Sequence, residues 1–140
     1  MASAISSNVR VRIAIAGGQF VTIICRRPTA QAVSKFLDAR FENKRNKIQS
    51  RLYAARTEFV RSIMVDIENA EYECPPGSET LLPLTAKTVL SDEEKAHWSG
   101  IVGEPVHGWK ELIPIQWLSQ AAQKFEDGQI PDDEEAPEKN

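Results

Sequence analysis

The chain has 140 residues, 41% of them apolar and 26% charged, and a formal net charge of −3. This is the size and balance of one soluble globular domain, and it argues against wholesale disorder. No apolar run approaches the roughly 18 to 20 residues that span a bilayer, so no membrane segment is expected.

Residues 1–8 are small and polar and read as a flexible N-terminus. They lack the basic start and apolar stretch of a signal peptide, which points to the cytoplasm. Val9, Val11, Ile13 and Ile15 alternate with Arg10, Arg12 and Ala14, the period-2 pattern of a half-buried strand. Ala16-Gly17-Gly18-Gln19 suits a tight turn, and a second β-branched run follows from Phe20 to Cys25, so a hairpin is predicted over 9–27. Pro28 stops the strand, and Thr29 is placed to cap a helix.

Apolar residues recur at Val33, Phe36, Leu37 and Phe41, then at Ile48, Leu52, Ala55, Phe59, Ile63 and Ile67. Spacings of three and four put them on one helical face, giving a helical unit over 29–70. Residues 42–47 are polar all round. That favours two helices meeting at a bend near 43–46 over one helix crossing solvent. Cys74-Pro75-Pro76-Gly77 ends the unit, and the stretch to Leu90 reads as an ordered connection.

Ser91-Asp92-Glu93-Glu94 has the form of a capping box and opens a short helix to about Val102. A last helix is predicted from about Pro114 to Phe125, with Ile115, Leu118, Ala122 and Phe125 as its apolar stripe, completing a helical segment over 91–125. Residues 126–140 are acidic, carry two prolines and one aliphatic residue, and are expected to be disordered. The predicted architecture is one α+β domain over 9–125, predominantly helical, with an N-terminal β-hairpin packed on a bundle of about four helices.

No residue pattern assembles an active site. Cys25 lies inside an apolar strand, where a buried inert thiol is the ordinary reading, and His97 reads as a surface or boundary residue beside Trp98. Cys25, Cys74, His97 and His107 lack the close ligand pairs of structural zinc, so neither metal nor cofactor is expected. The glycines at 17 and 18 join two strands, whereas phosphate-cradling loops lead from a strand into a helix.

The charge is unevenly distributed. Residues 1–70 hold twelve Lys/Arg against five Asp/Glu, and residues 71–140 hold five against fifteen. This division implies either internal neutralisation or two faces for different partners. Arg26, Arg27, Lys35, Arg40, Lys44, Arg45, Lys47, Arg51, Arg56 and Arg61 form a candidate stripe for nucleic-acid backbones. Interspersed acids, an acidic pI and the lack of a stacking or recognition motif favour a solvated or protein-docking face instead. Trp98, Trp109 and Trp117 are candidate anchors: two are expected in the core and one at a boundary. Residues 110–114, between Trp109 and Trp117, are placed to fold back and clamp the helical unit. The candidate partner-binding set is therefore Arg40, Lys44, Arg45, Lys47, Arg51, Trp98, Trp109 and Trp117.

Cys25-Arg26-Arg27-Pro28-Thr29 opening a helix with Phe36-Leu37 and a basic middle, then Ala55-Arg56-Thr57-Glu58-Phe59, resembles the tail assembly chaperones of long-tailed bacteriophages and prophages. Trp109-Lys110-Glu111-Leu112-Ile113-Pro114 and the helix after it are also similar to that group. The resemblance spans roughly residues 9–125. It implies a non-catalytic protein of the host cytoplasm that binds the tape measure protein and tail-tube subunits during assembly, and is absent from the finished particle. A structural or adaptor protein of the tail is the alternative, followed by a nucleic-acid-associated regulator using the basic stripe. A homo-oligomer is compatible with either protein-binding role, although no heptad run specifies one.

Overall fold

In the computed structural model, residues 6–40 and 48–128 are described, except for the side chains of 40 and 48–51. The chain is α+β. Strands β1 (Asn8–Ile15) and β2 (Gln19–Arg26) form the predicted hairpin, paired from Asn8 with Arg26 to Ile15 with Gln19. Its turn is a short 3-10 segment in which Gly17 and Gly18 have φ of 78° and 73°, a left-handed conformation that penalises any residue with a Cβ. Val9, Val11, Ile13, Val21, Ile23 and Cys25 alternate onto one face and are buried.

Helix α1 (Ala30–Arg40) follows, with the Ala32 amide donating to Thr29 Oγ1 at 3.0 Å as the capping pattern predicts. Helix α2 is Ile48–Ile63. The Phe36 and Phe59 rings stack with centroids 4.3 Å apart. On one straight helix these residues would stand about 35 Å apart, so the chain reverses between α1 and α2. The predicted bend at 43–46 lies outside the described residues.

The helical unit does not run to residue 70. At Met64 the chain becomes β3 (Met64–Glu68), which adds antiparallel to β2 in a three-stranded sheet of order β1-β2-β3. The hairpin is therefore two thirds of a sheet. A β-bulge explains the disguise. Cys25 pairs with Met64 and Ile24 with Asp66, so Val65 is an extra residue, and Met64 and Ile67 both face the core although three positions apart. That spacing reads as helical in a sequence.

The connection over 70–90 also contains unforeseen structure. Strands β4 (Glu71–Glu73) and β5 (Leu81–Pro83) form a second, two-stranded sheet. Asp66 Oδ1 accepts from the Ala86 amide at 2.9 Å and ties the following loop back to β3. Helix α3 (Asp92–Val102) starts on the predicted capping box, with Ser91 Oγ accepting from the Glu94 amide at 3.1 Å and Glu94 Oε1 from the Ser91 amide at 2.8 Å. It ends at Gly103 in the left-handed conformation, φ 83°.

A 3-10 turn over Trp109–Leu112 leads to α4 (Ile115–Glu126). The core lies between the sheet's inner face, α2 and α4. Leu118, Ala121 and Ala122 are fully buried on the inner side of α4. Ile115, expected on this stripe, is instead 46% exposed. Helix α1 joins through the Phe36–Phe59 stack, with Phe125 edge-on to Phe59 at 5.3 Å. Helix α3 buries no residue fully, so the four helices do not make one bundle.

Glu126, assigned to the acidic tail from the sequence, is the last residue of α4 and bonds to Arg56. The rest of the tail, from residue 129, lies outside the described residues. Among the described residues no helix is long and apolar enough to cross a membrane.

Candidate functional site

Helix α2 carries two kinds of arginine contact that join the basic half of the chain to the acidic half. Arg56 meets Glu126 through two bonds, Nε to Oε2 at 2.7 Å and Nη2 to Oε1 at 3.0 Å, and its Nη1 donates to Ser119 Oγ at 3.2 Å. Five positions on, Arg61 grips Glu104 at 3.2 and 2.7 Å, and the hydrogen bonds hold the Glu104 carboxyl below its ordinary range. Part of the charge division is thus neutralised internally. Arg26 donates to the Ser62 carbonyl and Arg27 to the Ser6 carbonyl. The basic stripe is consequently not one free surface, since Arg56 and Arg61 hold helix α2 to the C-terminal segments.

The 3-10 turn does clamp α2. Lys110 Nζ donates to the Arg61 carbonyl at 2.8 Å, close to the helix end where carbonyls lack intrahelical donors. Glu111 Oε1 accepts from the amides of His107 and Gly108, both at 3.0 Å, and fixes the turn that presents Lys110.

Between this clamp and α2 runs an open groove of about 770 Å³. Tyr53, Ala54, Thr57, Glu58 and Arg61 form its α2 wall; Glu104, Lys110, Glu111 and Ile115 form the other. Tyr53 and Ile115 are 54% and 46% exposed, so two large apolar surfaces border it. Arg61 Nε is buried with no hydrogen-bond partner among the described residues. On the other flank of α2 lies a cleft of about 500 Å³, lined by Ala32, Lys35, Phe36, Ala39, Ala55 and Phe59. Glu58 and Ser62 border both depressions, which makes the exposed side of α2 a ridge between two troughs.

The predicted site residues are distributed differently. Lys44, Arg45 and Lys47 lie outside the described residues; Arg40 ends α1 and Arg51 lies in α2, with side chains that are not described. Trp109 and Trp117 pack half-buried at the core margin, and Trp98 sits half-buried on α3 with Nε1 buried and unpartnered among the described residues. Two of the three thus pack against the core and one stands apart from it, as expected, although none is fully buried. The sequence pointed to residues 110–114 as a clamp, but not to Tyr53, Thr57, Glu104 or Ile115, which the tertiary arrangement alone brings together.

The cysteines behave differently from each other. Cys25 is fully buried, and burial pushes its thiol up to about 12. Cys74 Sγ donates to Glu94 Oε2 at 2.8 Å, which raises the thiol and lowers the carboxyl. Among the described residues no group of three His, Cys, Asp or Glu is placed to hold a metal ion. Comparisons with protein-family models, curated proteins and solved structures find no match to this chain.

Proposed function

We propose that this protein is a non-catalytic binding protein of the phage tail assembly chaperone kind, holding amphipathic helical segments of a tape measure protein and handing them to tail-tube subunits. The observation that carries the reading is the ridge-and-trough surface of α2. Its troughs have apolar floors or rims, notably Phe36, Phe59, Tyr53 and Ile115. Helix-in-groove recognition needs apolar anchors three and four apart on the guest and a polar rim to set its register. Glu58, exposed between the troughs, and Lys35 supply such a rim. Involvement of Arg56 and Arg61 in internal pairs favours a protein partner over a nucleic-acid backbone.

The proposal predicts a tape measure protein encoded in the same genome as this chain, and the test is co-expression with it. The chain is expected to keep that protein soluble and to co-purify with it, and Tyr53→Glu with Ile115→Glu is expected to abolish both effects while leaving the melting temperature within a few degrees. A tape measure protein that stays insoluble with the wild-type chain, or is kept soluble equally by the double variant, contradicts the proposal.

A further inference from the structure

Strand β1 is an edge of the three-stranded sheet, paired with β2 on one side only. The Arg27 amide donates to the Ser7 carbonyl at 2.8 Å, which sets the phase of the β1–β2 ladder: odd-numbered residues of β1 turn their backbone groups toward β2. Even-numbered residues therefore present theirs to the outer edge. At the two ends of β1 these groups are occupied, since the Asn8 amide donates to Ser6 Oγ and the Ala14 carbonyl accepts from Gln120 Nε2. Between them, the N–H and C=O of Arg10 and Arg12 have no partner among the described residues.

Natural edges are blunted by prolines, bulges, inward-pointing charges, a covering element or charged side chains along the strand. β1 has no proline or bulge, its eight residues pair with β2 in unbroken register, and Val9, Val11 and Ile13 point inward. Among the described residues only the charges of Arg10 and Arg12 guard it, and these repel a basic strand but not an acidic one. Its outward side chains decide what can pair with it. Arg10 and Arg12 stand two apart on the solvent face. Arg10 reaches Glu68 across the sheet, while Arg12 lies over the Phe20 ring at 4.7 Å and has no carboxylate partner among the described residues. A second copy pairing antiparallel about Val11 would set Arg10 against Arg12 and Arg12 against Arg10, a like-charge juxtaposition.

We infer that the β1 edge accepts an extended segment of another protein that carries carboxylates at alternate positions, adding it as a fourth strand. The backbone of Arg10 and Arg12 supplies the ladder bonds, and the Arg12 guanidinium, which has no carboxylate partner among the described residues, supplies most of the selectivity for Asp or Glu on the outer face. Apolar residues between the carboxylates continue the inner face of Val9, Val11 and Ile13. This surface belongs to the sheet, and its use is independent of the α2 troughs.

The test titrates the full chain, ¹⁵N-labelled, with a capped heptapeptide alternating Glu and Val, N-methylated along its far edge to block self-association. A matching peptide with Lys for Glu is the control. The Arg10 and Arg12 amides are expected to slow in hydrogen exchange at least tenfold, and the Lys peptide to bind at least tenfold more weakly. Arg12→Pro, which removes an outward N–H, is expected to weaken the Glu peptide at least tenfold, because proline is tolerated where the strand N–H faces solvent. Arg10→Glu with Arg12→Glu, which keeps every backbone donor, is expected to invert the preference between the two peptides. Equal binding of both peptides, protection elsewhere without protection at these two amides, or concentration-dependent protection without peptide would overturn the inference; the last result would assign the edge to a second copy.

Discussion

Changing Glu126→Gln tests whether the start of the acidic tail is part of the fold. The Arg56 and Glu126 side chains are 12% and 6% exposed, so this pair lies in the interior of the α2–α4 contact. The hydrogen bonding of Arg56 to the Glu126 carboxylate is also the largest cause raising the Arg56 guanidinium above its ordinary value. Removing one partner of a buried pair costs roughly 3–5 kcal/mol, because the remaining charge is left without compensation. Here the guanidinium keeps Ser119 Oγ and a little solvent, which places the expected loss near the lower limit, about 3 kcal/mol. For a domain of this size that corresponds to a drop of roughly 10 °C in melting temperature. Urea denaturation of wild type, Glu126→Gln, Arg56→Leu and the double Arg56→Leu/Glu126→Leu variant measures it as a cycle. The double variant is expected within about 1 kcal/mol of wild type, since a well-packed apolar pair replaces a buried ionic one at little net change. A Glu126→Gln loss below about 0.5 kcal/mol, the size of a surface ion pair, would refute the reasoning.

Two further predictions concern titration. Glu94 and Glu104 have folded-state carboxyls below their ordinary value of 4.5, Glu94 through Cys74 and Glu104 through Arg61. The unfolded chain therefore binds more protons as the medium acidifies: their contribution to stability is complete above the ordinary value and lost as pH falls through the depressed ones. Melting temperature is expected to fall between about pH 5 and pH 3, and by less in Glu104→Gln; an equal fall in that variant contradicts the assignment. For the thiols, alkylation by iodoacetamide at pH 8 is expected to be slow at Cys74, faster after Glu94→Gln, and absent at Cys25 until the chain unfolds. Rapid native labelling of Cys25 would contradict its burial.

Features set by neighbouring residues were legible in the sequence. The hairpin followed from alternation around Gly17-Gly18, the start of α1 from Thr29 after Pro28, and the start of α3 from Ser91 and Glu94. Strand β3 was not legible, because the bulge at Val65 puts Met64 and Ile67 on one face at helical spacing and Ile63 continues the stripe of α2. The tryptophans were partly legible: Trp109 and Trp117 pack against the core, as size and apolarity suggest, but at its margin rather than fully buried. The groove was half visible, since residues 110–114 suggested a clamp but nothing local marks Tyr53 and Ile115 as its rim. Charge counting showed the division between the two halves without showing that Arg56 and Arg61 are bound to Glu126 and Glu104.

The most direct test of the account is a titration of the ¹⁵N-labelled chain with an amphipathic helical peptide that carries apolar residues three and four apart. Saturable shifts concentrated at Tyr53, Thr57, Glu58, Arg61 and Ile115, lost in the Tyr53→Glu/Ile115→Glu variant, are the predicted result. Absence of binding, or binding that leaves both troughs of α2 unperturbed, would contradict it.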